Sequence, residues 1–133
     1  MIKRFFLYSM LGIYFEVFWT GLRSGILGDF RLQGRSSIIM MLIYGSVVLL
    51  EPLFSFLQNW SVITRGIIYS LLILSAEYFL GLFLLKLNIC PWNYSKALFN
   101  YASVTRIDYM PLWIIVGLGY ERLYFMFLQN NNN

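Results

Sequence analysis

Four glutamates, Glu16, Glu51, Glu77 and Glu121, are spread through an otherwise apolar chain, one in each of its long hydrophobic runs. A charged side chain in mid-membrane costs about 2.5–3.5 kcal/mol on insertion scales, so four of them need partners, protons or water. Glutamates near the midplane of a small bundle are where transporters hold a cation, a proton or a polar solute. A structural role competes with that reading: the same groups would pair with Arg23, Arg65, Arg106 and Arg122 as interhelical glue. Glu121 and Arg122 are consecutive, hence about 100° apart on a helix, and do not satisfy each other directly.

Helical spacing says where the carboxylates point. Ser9, Gly12, Glu16, Thr20 and Arg23 fall on one face by three- and four-residue steps. So do Tyr44, Val48, Glu51, Ser55 and Gln58 in the second run. The third run has Gly66, Ser70, Glu77 and Gly81 on its stripe, and the fourth has Trp113, Gly117, Glu121 and Tyr124. Each glutamate therefore shares a face with small or hydrogen-bonding residues, the composition of close helix contacts in lipid. Pro52 adds a kink beside Glu51, because it lacks the amide that would bond the Val48 carbonyl. All four side chains are expected to face one polar cavity.

The elements that must carry these residues are transmembrane helices. Of 133 residues, 59% are hydrophobic and 12% charged; soluble domains carry about 25% charged residues. The apolar runs, Phe5–Leu22, Ser37–Leu57, Gly66–Leu85 and Tyr109–Leu128, are each near the ~20 residues that cross a membrane as helix. The fold class is thus an all-α, polytopic integral membrane protein of the cell membrane, one four-helix domain over residues 1–129 with a disordered tail at 130–133. The first run carries Glu16 and lacks a small-residue cleavage site, so it reads as a span and not as a signal peptide. One cysteine excludes an internal disulfide, and the lack of histidine excludes His-based triads and His-ligated zinc. The net charge of +4 comes from residues scattered at helix ends, the pattern of membrane flanks and not of a nucleic-acid partner. No cofactor is expected, and a metal at the glutamates stays open.

Ser36 or Ser37 is placed to cap the second helix, Thr64 the third and Asp108 the fourth, with Pro111 tolerated in that helix's first turn. Four spans put both termini on one side. Arg23, Arg31, Arg35, Lys86, Lys96 and Arg106 favour a cytoplasmic first and third connection, while Lys3 and Arg4 pull the other way. The balance puts the termini outside.

Between the third and fourth runs lies "KLNICPWNYSKALFNYASVTRIDYMP", too apolar for a simple solvated loop. Pro91 cannot continue the third helix and holds Cys90 extended. Trp92, Tyr94, Leu98, Phe99 and Tyr101 are spaced to anchor at an interface. Cys90, Pro91, Trp92, Asn93 and Tyr94 are expected to form a structural lid, an interfacial or re-entrant segment over the cavity mouth. Asn93 would bond backbone freed where the third helix ends, and Arg106 would meet Glu16 or Glu77. A further echo links "EVFWTGL" in the first run with "EYFLGL" in the third, offset by one residue, as either two copies of one helical hairpin or chance similarity would.

The order Glu16, "IYG" (43–45), "RGIIY" (65–69), "EYFLG" (77–81), "CPWNY" (90–94), "RIDY" (106–109) and "W…GL…E" (113–121) resembles the ABC-transporter type IV permeases. That group of small membrane proteins also contains the vertebrate transmembrane protein 229 proteins. The likeness runs from about residue 8 to 122, and Asn93 stands where members often have Asp. It implies four spans and a membrane location. The sequence holds no Gly-rich loop ending in Gly-Lys-Ser/Thr, so any ATPase would be a separate subunit.

Three functions compete. In the first, a permease-like protein binds a cation, proton or small polar solute at Glu16, Glu51, Glu77 and Glu121, with Arg106 and Asp108 at the mouth. In the second, the chain is a structural or accessory membrane subunit, possible as a homo-oligomer in the bilayer. In the third, Cys90 is the nucleophile of an intramembrane enzyme. That thiol would have only Arg106 or Lys86 to lower its pKa, so the enzyme ranks last.

Overall fold

A computed structural model, which describes residues 1–131, has four helices long and apolar enough to cross a membrane: Ile2–Ile26, Ile38–Leu57, Val62–Lys86 and Ile107–Asn130. Three of them outrun the apolar stretches that announce them, because the helix continues through polar flanks such as Arg23 and Arg65. Only 22% to 28% of each span is buried within the protein. Phe18, Leu49, Phe79 and Ile115 turn outward, one from each span. Such an exterior suits lipid and not water.

The chain divides after Leu50 into two compact units, where the spacing of runs reads as one domain over 1–129. The division falls inside the second span. Here α2 (Ile38–Gly45) passes through a 3-10 stretch, Ser46–Leu50, into α3 (Glu51–Leu57). Pro52 lacks the amide for the Val48 carbonyl, so the α-helical ladder tightens just before it. The expected kink site is therefore where the helix changes type.

In the first unit α1 (Ile2–Ile26) packs on α2. The buried Ser9 hydroxyl donates across to the Met41 carbonyl at 2.7 Å and is also within 2.9 Å of the Phe5 carbonyl. Gly12 leaves room for the Tyr44 ring, which a Cβ there would strike. Ser37 caps α2 by accepting from the Ile39 amide at 3.3 Å, as expected. α1 ends with Gly28 at φ +97°, while the Asp29 amide returns to the Ser24 carbonyl at 3.0 Å. That is a Schellman ending. The connection then runs back along α1, and an added Cβ on Gly21 would lie 2.7 Å from the Leu32 carbonyl oxygen.

In the second unit α4 (Val62–Lys86) packs on α5 (Met110–Asn131), and α3 also touches α5. Ser61, not Thr64, is the N-cap of α4; it accepts from the Thr64 amide at 3.2 Å. The Ser70 hydroxyl donates to the Met110 carbonyl at 3.2 Å, and Tyr69 rests where Gly117 has no side chain. Phe54 stands edge-on to Tyr69 with ring centroids 5.3 Å apart. α5 reaches Asn131, so it takes in the start of the expected tail at 130–133; residues 132 and 133 lie outside the described residues.

The third connection folds into a small cap on α4. α4 stops at Lys86 because Asn88 turns left-handed at φ +55° and the Ile89 amide bonds the Leu84 carbonyl at 3.0 Å. This is again a Schellman ending, with Asn in the glycine position. Pro91 comes later and only keeps the chain from resuming a helix. β1 (Asn100–Tyr101) pairs antiparallel with β2 (Thr105–Arg106), Asn100 opposite Arg106. Ala102 and Ser103 turn the hairpin at φ +50° and +60°. Val104 is fully buried in the notch over Gly81, where an added Cβ would lie 2.6 Å from its own Cβ. The anchoring aromatics split into two sets. Trp92 and Tyr94 turn inward, while Leu98 (95% exposed), Phe99 and Tyr101 point out.

Candidate functional site

Glu77 sits on α4 one turn before Gly81, where the cap closes over the helix. The Thr105 hydroxyl donates to its Oε2 at 3.1 Å and the Tyr94 hydroxyl to its Oε1 at 3.3 Å. Both donors come from the third connection, so the carboxylate and the cap hold each other. Across from α5, the Trp113 indole lies beside the same carboxylate. Its Nε1 is buried, with Trp113 9% exposed. A buried N–H left without an acceptor costs about 1–3 kcal/mol, and the Glu77 carboxylate is the acceptor beside it.

Glu121 is built differently. It is 5% exposed, accepts from the Tyr69 hydroxyl at 3.0 Å and lies 3.4 Å from Arg65 Nε. Arg65 also donates through Nη1 to the Gln58 carbonyl at 2.7 Å. One glutamate thus does act as interhelical glue, with Arg65 as its cation. Tyr69 and Glu77 are eight residues apart on α4, about 12 Å along the axis, so Glu77 and Glu121 centre separate polar clusters within this unit.

In the first unit, Glu16 accepts from the Ser36 hydroxyl at 2.7 Å and from the Tyr44 hydroxyl. The Arg35 amide donates to Thr20 Oγ1 at 2.8 Å one turn further on. Among the described residues, neither Glu16 nor Glu77 has an ion pair, in contrast to Glu121. Glu51 is 7% exposed at the first residue of α3, directly after the 3-10 stretch.

Arg106 meets neither Glu16 nor Glu77. It grips Asp108 with two bonds, Nε to Oδ1 at 3.0 Å and Nη2 to Oδ2, and Nη1 donates to the Tyr109 hydroxyl at 3.3 Å. The bond to Asp108 raises the guanidinium pKa further above its ordinary value. Its centre lies 4.2 Å from the Tyr109 ring centroid and 5.8 Å from that of Tyr94, within cation–π reach of both. Asp108 therefore serves Arg106, while α5 begins at Met110 with Pro111 in its first turn. The pair links Tyr94 of the cap to the entry of α5.

Within "CPWNY" the bonds are mostly local. The Trp92 indole donates to the Val104 carbonyl at 2.7 Å, and the Tyr94 amide to the Ser103 carbonyl at 2.8 Å. The Cys90 thiol donates to the Trp92 carbonyl at 3.3 Å. Asn93 does not reach the end of α4; its Oδ1 accepts from the Ser95 amide at 2.8 Å, an Asx turn.

Sequence reasoning assigned Tyr44 to the face of Glu51 and Trp113 to the face of Glu121, and passed over Thr105 as a donor. Both aromatics approach a carboxylate on the neighbouring helix. Face stripes within one helix carry no signal for that.

Apolar spans, polar interhelical contacts and a folded cap define a multi-pass α-helical membrane protein. The chain matches the family described as "Putative ABC-transporter type IV" over residues 4–133, and it belongs to that family. No solved structure matches it.

Proposed function

We propose that the protein is a permease-like component of the cell membrane whose glutamates form a polar site for a cation, a proton or a small polar solute. The observation that carries this reading is the cradle of Glu77: two hydroxyls, an indole N–H beside the carboxylate and no ion pair among the described residues. A carboxylate held by neutral donors within an apolar layer has no countercharge of its own, which leaves that place to an incoming cation or proton. Tyr94 and Thr105 also have lone pairs to offer, so the oxygens at Glu77 suit a small hard cation.

The remaining residues take supporting parts. Glu16 is the polar group of the first unit, and in the second Glu51 adds a buried carboxylate and Glu121 pairs with Arg65. Arg106 and Asp108 brace the cap by which Cys90, Pro91, Trp92, Asn93 and Tyr94 cover the site. In this reading Cys90 is a structural residue of the cap, its thiol closing a turn. A separate ATPase subunit would supply energy if the transport is active, and a second copy of the chain would enlarge the path.

Reconstitution tests the reading. Vesicles containing the protein and loaded with sodium- or pH-sensitive dye should pass one of these ions faster than empty vesicles. Glu77→Gln should return the rate to the empty-vesicle value. Transport by Glu77→Gln at the unaltered rate would refute the proposal.

A further inference from the structure

We propose that one helical hairpin is used twice in this chain, and that each copy has its own site for a monovalent cation or proton, at Glu16 in the first and Glu77 in the second. The inference rests on the reading of Glu77 as such a site, and it makes Glu16 the centre of a second, equivalent and independent one. The evidence is a matched series of contacts, each found once in each unit.

Both long helices contain a Tyr-Ser pair, Tyr8-Ser9 and Tyr69-Ser70, fully or almost fully buried. Each serine donates across the hairpin to a methionine carbonyl, Ser9 to Met41 and Ser70 to Met110. A seven-residue step separates Ser9 from Glu16 and Ser70 from Glu77. Three residues after each methionine stands an aromatic donor, Tyr44 or Trp113, and each lies at the carboxylate of its own unit. The connection following each helix then returns a hydroxyl to that carboxylate, Ser36 to Glu16 and Thr105 to Glu77. Each connection also fills a notch left by a glycine, Gly21 under Leu32 and Gly81 under Val104.

The connections differ in length, Ser36 following Glu16 by 20 residues and Thr105 following Glu77 by 28, but the one irregularity within the helices supports common descent of the two halves. Gly21 follows Glu16 by five residues, whereas Gly81 follows Glu77 by four. The helices end in the same Schellman motif, at Leu27 and Leu87, and the one-residue difference from the glutamate persists there. A single deletion between glutamate and glycine accounts for both shifts. Chance likeness would scatter its offsets.

The polar atoms offered are alike in kind. Glu16 has a serine and a tyrosine hydroxyl; Glu77 has a threonine and a tyrosine hydroxyl with an indole N–H. A group that binds through carboxylate and hydroxyl oxygens at one therefore finds the same chemistry at the other.

Carbodiimide labelling of the full chain in lipid vesicles tests this, because the reagent attacks the protonated carboxyl and a bound cation blocks it. Labelling at each glutamate is read by peptide mass spectrometry across a sodium titration and, separately, a pH titration. If sodium is the ligand, both Glu16 and Glu77 should be protected by it at fixed pH; if only protons bind, both should respond to pH alone. The two midpoints should agree within about one pH unit or tenfold in sodium, the usual scatter of one group type among folded sites. Glu16→Gln should leave the response of Glu77 intact, and Glu77→Gln that of Glu16. Response at Glu77 with none at Glu16 overturns the duplicated site but spares the function proposed for Glu77. No response at either overturns both.

Discussion

The connection that closes over Glu16 and the one that closes over Glu77 solve the same problem with different means. Both leave a Schellman helix end, turn back, and press into a glycine notch one turn beyond a carboxylate. The first does so with bare backbone, the Leu32 carbonyl against Gly21 and the Gly34 amide beside it. The third does so with side chains, Val104 and Trp92 against Gly81, carried on a paired hairpin. The difference shows in the donors: the first connection brings Ser36 alone, the third both Tyr94 and Thr105. A longer, hydrogen-bonded connection can hold more groups over a site, because its own backbone polarity is satisfied internally.

Trp92 is where that difference should weigh most. Its ring contributes to the wall over Gly81, and its indole N–H holds the Val104 carbonyl. Trp92→Ala removes both, and large aromatic truncations in packed sites cost about 3–5 kcal/mol. Partial exposure puts this one at the low end, about 3 kcal/mol. The melting temperature of the detergent-solubilised protein should fall more for this variant than for the others discussed here. The first connection has no such keystone. A negligible shift would mean that the hairpin does not rely on its side-chain anchor, and the contrast with the backbone-built connection would fail.

The glycines sharpen the comparison. Gly81→Ala sets a methyl against the Val104 Cβ, and Gly21→Ala sets one against the Leu32 carbonyl. Overpacking of this kind costs about 1–3 kcal/mol. Both variants should melt lower, whereas Gly119→Ala, with nothing within 4 Å, should not. If Gly81→Ala is destabilised and Gly21→Ala matches Gly119→Ala, the first connection is not seated on its helix as the third is.

How much of this was legible in the sequence depends on the range of the signal. Spans follow from apolar length, and Ser37 as a cap follows from its type and place. The end of α4 was placed within a residue but its cause was misread, because Pro91 is a conspicuous breaker while Asn88 acts through a left-handed φ that its identity only permits. The hairpin was invisible: strands of two residues leave no alternation to detect. Arg106 and Asp108 are two apart, which puts side chains on the same side of an extended chain and not of a helix. Read as helix entry, the pair looked unmatched and Arg106 was given to a glutamate. Tyr69 and Glu121 are 52 residues apart, and nothing local joins them.

The smallest effect is expected at Cys90, in the cap alone. Its thiol donates to the Trp92 carbonyl at 3.3 Å, a turn contact two residues along the chain. A serine hydroxyl in the same place donates to the same carbonyl and is slightly smaller, so no buried partner is stranded. Surface and turn substitutions of this kind usually stay within about 0.5 kcal/mol. Cys90→Ser should therefore melt with the unaltered protein and pass ions at the same rate in vesicles. The thiol, closed into a turn beside Pro91, should also react slowly with a thiol reagent at neutral pH. Rapid labelling together with loss of activity in Cys90→Ser would give the third connection a chemical role that the first cannot have. It would turn the difference between the two connections from one of construction into one of function.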